Sequence, residues 1–508
     1  MGKGKGIVNS IAADEVLAFR RCRRLPYLQR FGSPEAQLAP HEFLGQLRQD
    51  RQQLREAIAQ SYPGEWVTAS GSEEYLDRPS PFQQTLALMA AGVDRIYRGT
   101  LRHPLNLPGN PLLVSRPDLL VRIPLDPRDL TAPTATLFPG QRQWTYRPVE
   151  IRTGKRAKGD YLLMLALHAE LIRLLWGRSP TNGTVILRDG LWRSVGLQPA
   201  RHRVRLLVRE LADAIAADCM PEVFPSRSRC SLCRWQDYCH TYARTVHPLS
   251  LLPGVTTHSY TALRAAGIET TTHLANRDAE DLQSLPGFSR ALAHQLIRQA
   301  QAVVAEKAIA LRAYQLPQAA VELYFDVEAE PSRNLAYLLG VLVVERSSRR
   351  SAFHPYLAET PADEASSWRA FLALVERYPT APIFHFQSFE VQTCRQLAQR
   401  YGTGTTSLPL LLNRLVDLQA IASQCVAFPV ESYSLKHVAR WLGFRWRQPD
   451  ASGARAIYWY IQWLQTGDRA FLDAATLYNE DDCRATYHLK HWLETWQIDQ
   501  LPATACHE

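Results

Sequence analysis

Apolar residues recur at Val16, Leu17, Phe19, Cys22, Leu25 and Leu28, a roughly helical rhythm that predicts a helix within Ile11 to Phe31. A polar helical stretch, His41 to Gln60, and a helix from Phe82 to Met89 follow. Two strand-like runs, Leu112 to Ile123 and Gln143 to Ile151, flank a Pro-rich segment, Pro124 to Pro139. Tyr161 to Leu175 is apolar nearly all round, which predicts a helix buried on several sides. His247 to Ala305 reads as short helices broken at Pro253-Gly254 and at Leu285-Pro286-Gly287-Phe288. From Ala320 the rhythm changes. Val321 to Glu328 and Leu335 to Val344 predict a strand hairpin, and Pro382 to Phe386 a third strand. Helices are expected over Ser366 to Tyr378, Glu390 to Tyr401, Ser434 to Leu442 and Ala470 to Trp496. Alternating strands and helices imply a sheet layered with helices, hence an α/β chain.

At 508 residues the chain exceeds one ordinary core, so it is expected to be multidomain. A formal net charge of +9 favours a polyanionic partner, with nucleic acid the leading candidate. The basic start Met1 to Gly6 precedes no apolar run, and no stretch reaches the length of a membrane span, so a cytoplasmic protein without membrane contact is expected.

Nine cysteines, three of them in one short stretch, favour a metal or free thiols over a disulfide framework. Cys230, Cys233 and Cys239 have the spacing to grip one metal centre, which then needs a fourth ligand. The alternative is a trio of small buried hydrophobes. Cys22 lies among Arg20, Arg21, Arg23 and Arg24, which would favour its thiolate or touch phosphates. The hairpin at Gly287 can hold a phosphate oxygen on outward backbone amides, or be an ordinary Pro-Gly turn.

Asp326 and Glu328 are two apart in a predicted strand, so both carboxylates leave one face. Glu390 follows the third strand, and Asp482 lies on the late helix with Tyr478 one turn before it. Four converging acids suit two divalent ions, Mg2+ or Mn2+, that activate water and stabilise a leaving oxygen, with Tyr478 orienting the water. Tyr324-Phe325-Asp326-Val327-Glu328 and Tyr478-Asn479-Glu480-Asp481-Asp482 resemble the first and third motifs of the DnaQ-like DEDD exonucleases in their tyrosine version. The resemblance implies a ribonuclease-H-like fold, two metals and 3′ to 5′ exonucleolysis. The middle motif departs, with Glu390 where those enzymes have Asp. Asp417 is a reserve acid with a structural reading.

The first half resembles RecB-type nucleases of the PD-(D/E)xK superfamily, in particular the iron-sulfur kind that accompanies CRISPR systems. There a Cys in a Cys-x-Arg context joins three later cysteines around a 4Fe-4S cluster, a plan that Cys22, Cys230, Cys233 and Cys239 match; zinc is the alternative. His41, Asp118 and Glu150 match the metal-site motifs in order. Arg152 stands where a lysine positions water, although a guanidinium essentially never deprotonates. Ser115 stands where Gly precedes the Asp, and Met164 and His168 where a Gln-x3-Tyr motif is expected. An active nuclease site and a degenerate, DNA-gripping one are both open.

The order RecB-like restriction-endonuclease-type core with iron-sulfur clasp (1–245), helix-hairpin-helix connector (246–319) and ribonuclease-H-like mixed sheet with helices (320–508) resembles a family of bacterial RecB-like nucleases with this fusion. Ser432 to Lys436 and Trp441 to Trp446 also resemble its C-terminal half, and Ser289 replaces the second glycine of the usual hairpin. The resemblance implies a metal-dependent 3′ to 5′ DNA exonuclease of repair, recombination or CRISPR-related processing. Arg23, Arg24 and Gly287 would contact nucleic acid. The rivals are a ribonuclease of the same fold and a non-catalytic nucleic-acid scaffold.

Overall fold

A computed structural model of the chain describes residues 10–67, 79–124, 143–217, 219–348, 350–405 and 407–500. The basic start and the Pro-rich segment beyond Pro124 lie outside the described residues. The chain divides into two compact units: Met1–Glu222 with Leu232–Trp235, and Val223–Ser231 with Gln236–Glu508. Among the described residues no helix is long and apolar enough to cross a membrane.

In the first unit the expected opening helix is two, Ala13–Arg21 and Arg24–Phe31, parted where Cys22 adopts extended backbone. The run Leu112 to Ile123 is likewise two strands in different sheets, Leu112–Ser115 and Leu119–Pro124. Pro117 lies at the break, where it has no N–H to give a ladder and constrains its neighbour, so Asp118 falls at the turn into the second strand. The larger sheet runs Glu65–Trp66, Arg95–Tyr97, Leu119–Pro124, Trp144–Ile151, Asn182–Ile186, Trp192–Gly196. Trp144–Ile151 and Asn182–Ile186 pair in parallel, and the helix Gly159–Trp176 makes the crossover such a pair needs. As its composition predicts, every residue from Leu163 to Ala169 is buried.

The second unit carries the helices Thr257–Ala265, Thr271–Ala275, Ala279–Gln283 and Arg290–Ala305 around a core that includes Leu263, Leu274, Leu282 and Leu296. Beyond them a five-stranded sheet runs Arg350–Leu357, Leu335–Glu345, Val321–Glu330, Ile383–His385, Leu415–Asp417. The first three strands are antiparallel, and the last two run parallel to Val321–Glu330. Strand alternation divides the core. Leu323, Phe325 and Val327 pack with Trp368 and Phe371 on one face. Phe325, Trp368 and Phe371 are each at most 1 % exposed, and burying a side chain of this kind contributes about 1.5–3 kcal/mol. Tyr324, Leu342 and Phe384 pack on the other face with Cys483 and Leu489 of the helix Arg469–Gln500.

That helix is tied to the sheet by a buried ion cluster. Lys490 Nζ donates to Glu322 Oε1 at 2.6 Å and to Glu494 Oε1 at 2.7 Å. Arg346 pairs with both acids, and the Tyr324 hydroxyl donates to Glu322 Oε2 at 2.7 Å. The anchor lies two turns beyond Asp482 on the helix and four residues before Asp326 on the strand, so it sets how these two acids meet.

Candidate active site

Asp326 and Glu328 leave the strand face that the helix Arg469–Gln500 covers, and Asp482 comes down from that helix. One carboxylate oxygen of each lies within 4.8 Å of those of the other two. Among the described residues this is the one such group of three or more His, Cys, Asp or Glu ligands. Close approach of helix and sheet depends on Gly340, the cross-strand partner of Asp326. A Cβ there would stand 1.6 Å from Asn479 Oδ1. Asn479 uses that closeness: its Nδ2 donates to Asp326 Oδ2 at 2.6 Å. Its neighbours turn elsewhere, since Asp481 accepts from Arg447 Nε at 2.7 Å and Glu480 pairs with Arg447 and Arg484. The Trp446 indole N–H donates to Asp482 Oδ1 at 2.6 Å.

Burial raises the Asp326 and Glu328 carboxyls well above the ordinary range, and the negative charge of Asp482 adds to the shift in each. Asp482 is pushed up to about 6 by burial, against the pull of Trp446 and Lys436. Three hard oxygen ligands that resist sharing their negative charge fit a divalent cation of the Mg2+ or Mn2+ kind. Glu390, in the first turn of Phe389–Tyr401, is outside the 4.8 Å group but adds its charge to that felt by Asp326 and Glu328. It is 3 % exposed, and His385 Nδ1 stands 3.4 Å from its Oε2. Asp417 is structural: its Oδ1 accepts from the Gln419 N–H and the Gln387 N–H, each at 2.9 Å, capping the helix Leu418–Cys425.

Tyr478 is buried, and burial followed by the charge of Asp482 holds its hydroxyl well above its ordinary pKa, so it stays protonated. Lys436 Nζ lies 4.8 Å from the centre of the Tyr478 ring, and its charge is felt by Asp482 and Glu328. Gln387, Lys436, Ser452, Gly453 and Tyr478 help to line an open cleft of about 720 Å3. Gln387 has φ +80°, a region that side-chain-bearing residues rarely adopt. Lys436 and Trp446 were visible in the sequence only as parts of a resemblance. No local pattern marks a lysine or an indole as neighbour to an acid ten or more positions away.

In the first unit the structure does bring Asp118 and Glu150 together, but with arginines. Asp118 Oδ2 accepts from Arg51 Nη2 at 2.7 Å and the Ile151 N–H at 2.8 Å, and Oδ1 from Arg55 Nε at 3.0 Å. Burial acts to raise the Asp118 pKa, and Arg51, Arg55 and Arg152 outweigh it, so the carboxyl lies below its usual range. Arg152 pairs with Glu150. His41 does not join these acids as a ligand; its Nδ1 accepts from the Phe43 N–H at 3.2 Å and caps the helix Glu42–Ser61.

Of the expected nucleic-acid contacts, Arg23 is exposed and pairs with Glu210 at 2.8 Å. Arg24 is 2 % exposed with Nη1 facing Pro221 O, so burial removes it from any nucleic-acid surface. Gly287 has φ +82°, and a Cβ there would meet His258 Nε2 at 2.7 Å, so the hairpin requires glycine at this point. Ser289, in place of the second glycine, caps the next helix by accepting from the Leu292 N–H. The four cysteines are divided, Cys22 and Cys233 in the first unit, Cys230 and Cys239 in the second, so neither unit by itself holds three of them.

No curated protein matches the chain. Residues 248–302 match the family described as SAM-like helix-hairpin-helix tandem, and residues 323–494 match the RNase_H superfamily; neither match extends into the first unit. With the acidic trio between its sheet and its long helix, the second unit is similar to a nucleic-acid-binding, nuclease-like fusion of a helix-hairpin-helix tandem with an RNase H-like domain.

Proposed function

We propose that the chain is a divalent-metal-dependent hydrolase of phosphodiester bonds, a 3′ to 5′ exonuclease acting on DNA, with its active site in the second unit. The observation that carries this reading is the trio Asp326, Glu328 and Asp482, with ligand atoms within 4.8 Å of one another beside an open cleft. These three would hold the ion, with Glu390 the acid available to a second. Such ions supply the positive charge that activates water and stabilises the departing oxygen.

The chain's own groups do the remaining work. Asn479 and Trp446 fix the rotamers of Asp326 and Asp482 by hydrogen bonds of 2.6 Å each. Tyr478 offers a protonated hydroxyl that can orient a water. Lys436 sets a cation on the cleft wall, where charge develops on the phosphoryl oxygens. Hydrolysis forms one bond from the water oxygen to phosphorus and breaks the bond from phosphorus to O3′. The water's proton passes to solvent, and O3′ takes one up. The cleft volume lies in the range of small-ligand sites, enough for a terminal nucleotide.

The test is degradation of end-labelled single-stranded DNA and RNA with Mg2+ or Mn2+ by the full chain and by an Asp326→Ala, Asp482→Ala variant. Label loss from the 3′ end of DNA by the first protein alone is the expected result. Equal rates for the two proteins would sink the proposal, and faster loss from RNA would change the substrate.

A further inference from the structure

Asp118 and Glu150 are 0 % and 1 % exposed, and nearly every lone pair they have is taken. Four donors reach Asp118: Arg51, Arg55, the Ile151 N–H and, at 3.6 Å, Arg98. Glu150 Oε2 holds Arg152 and, at 3.3 Å, Arg51, while its Oε1 lies 2.7 Å from His168 Nε2. A carboxylate has about four acceptor positions, and a hard cation of the Mg2+ kind needs oxygens turned toward it. Here guanidinium groups occupy that place.

The residues that break the nuclease motif meet around one acid, Glu150. A carboxylate only accepts, so His168 Nε2 donates to Glu150, and its Nδ1 shares a hydrogen bond with the Ser115 hydroxyl, both groups being buried. Ser115, Arg152 and His168 therefore close one network with Glu150, and Met164 drops into the apolar core at 3 % exposure. In this network Arg152 Nε is a buried donor left without a partner.

Positive charge gathers at this place. Among the described residues Arg51, Arg55, Arg98 and Arg152 bring four positive charges to the two carboxylates of Asp118 and Glu150, and Asp14 acts on Arg51. The loop that follows Arg152 adds Arg156 and Lys158, both exposed. Arg51 and Arg98 side chains keep 30 % and 35 % of their surface in solvent.

We infer that this site is a metal-free phosphate grip: the acid pair fixes the arginines, and the guanidinium and lysine charge binds the sugar-phosphate backbone of a nucleic acid. The choice of nucleic acid as the polyanion rests on the nuclease reading of the second unit.

Binding is measured by fluorescence anisotropy with labelled single- and double-stranded DNA in EDTA, on the full chain carrying Asp326→Ala and Asp482→Ala. Adding Arg98→Gln, Arg156→Gln and Lys158→Gln, which leaves the donors closest to the acids in place, weakens binding about tenfold or more near ~0.1 M salt and lowers the salt slope by about one for each phosphate no longer gripped. Unchanged affinity and slope overturn the proposal. Mn2+ titration of the same double-alanine protein, followed by electron paramagnetic resonance, is expected to show no bound ion that Glu150→Gln removes. A Mn2+ site that vanishes with Glu150→Gln overturns it as well. Because the exonuclease acids are absent throughout, these results stand apart from whether the unsubstituted chain degrades DNA.

Discussion

Trp446 donates its indole N–H to Asp482 at 2.6 Å, so an aromatic residue from the segment after the helix Leu435–Trp441 orients the helix-borne acid of the trio. Removing the donor while keeping a ring separates its orienting role from packing. Trp446→Phe should lower activity or metal affinity about 10–100-fold. Mg2+-activation curves would show this as a shift of the midpoint with little change in unfolding temperature.

The trio's repulsion has a pH signature. A carboxyl whose pKa is higher in the folded protein than in the unfolded chain stabilises the fold below the unfolded value, and that contribution is lost as pH rises through the folded value. Asp482 at about 6, with Asp326 and Glu328 also raised, places the loss between about pH 4 and 7 and above. Asp326→Asn should therefore melt higher than the unsubstituted chain in EDTA at alkaline pH, by about 2–4 °C per kcal/mol gained. At acid pH, where the carboxyls are protonated, the gap should close. Thermal melts across pH, with and without Mg2+, read it directly.

Lys436 contributes charge on the cleft wall, not bulk to the core. Lys436→Met should lower kcat about a hundredfold and move KM little. Steady-state kinetics on a labelled oligonucleotide distinguishes this from a loss of binding, which would raise KM alone.

Gly340→Ala drives a methyl group into Asn479. The cost is about 1–3 kcal/mol, and Asp326 loses its orienting donor. Adding Asn479→Ala should restore the unfolding midpoint without restoring activity, a split that urea unfolding and the nuclease assay would report side by side.

Lys490 is 1 % exposed between Glu322 and Glu494. Lys490→Met leaves buried Glu322 with the Tyr324 hydroxyl and the more exposed Arg346, and should destabilise the protein by about 3–5 kcal/mol. Pairing it with Glu322→Gln should recover much of that loss in urea unfolding.

The sequence by itself determined the acid pair and the layers. Period two in Val321 to Glu330 puts Asp326 and Glu328 on one face, and the nearly all-round apolar pattern of Tyr161 to Leu175 makes a buried helix. Other elements escaped it. The edge strand Arg350–Leu357 has no fully buried residue, and Leu415–Asp417 is too short to show a period. Spacing from Tyr478 singled out Asp482, but only the tertiary structure paired Asp481 with Arg447 and Asp482 with Trp446, because helix packing sets their directions. It also decided that Trp446 and Lys436 accompany Asp482 while Glu390 stands outside the closest group. The same holds for Asp118 and Glu150. Their order along the chain matches a metal site, yet Arg51 and Arg55 reach them from a helix more than sixty residues earlier. A motif records residues near one another in sequence; the long side chains that fill its empty positions arrive from elsewhere in the fold, and only packing brings them within hydrogen-bonding distance.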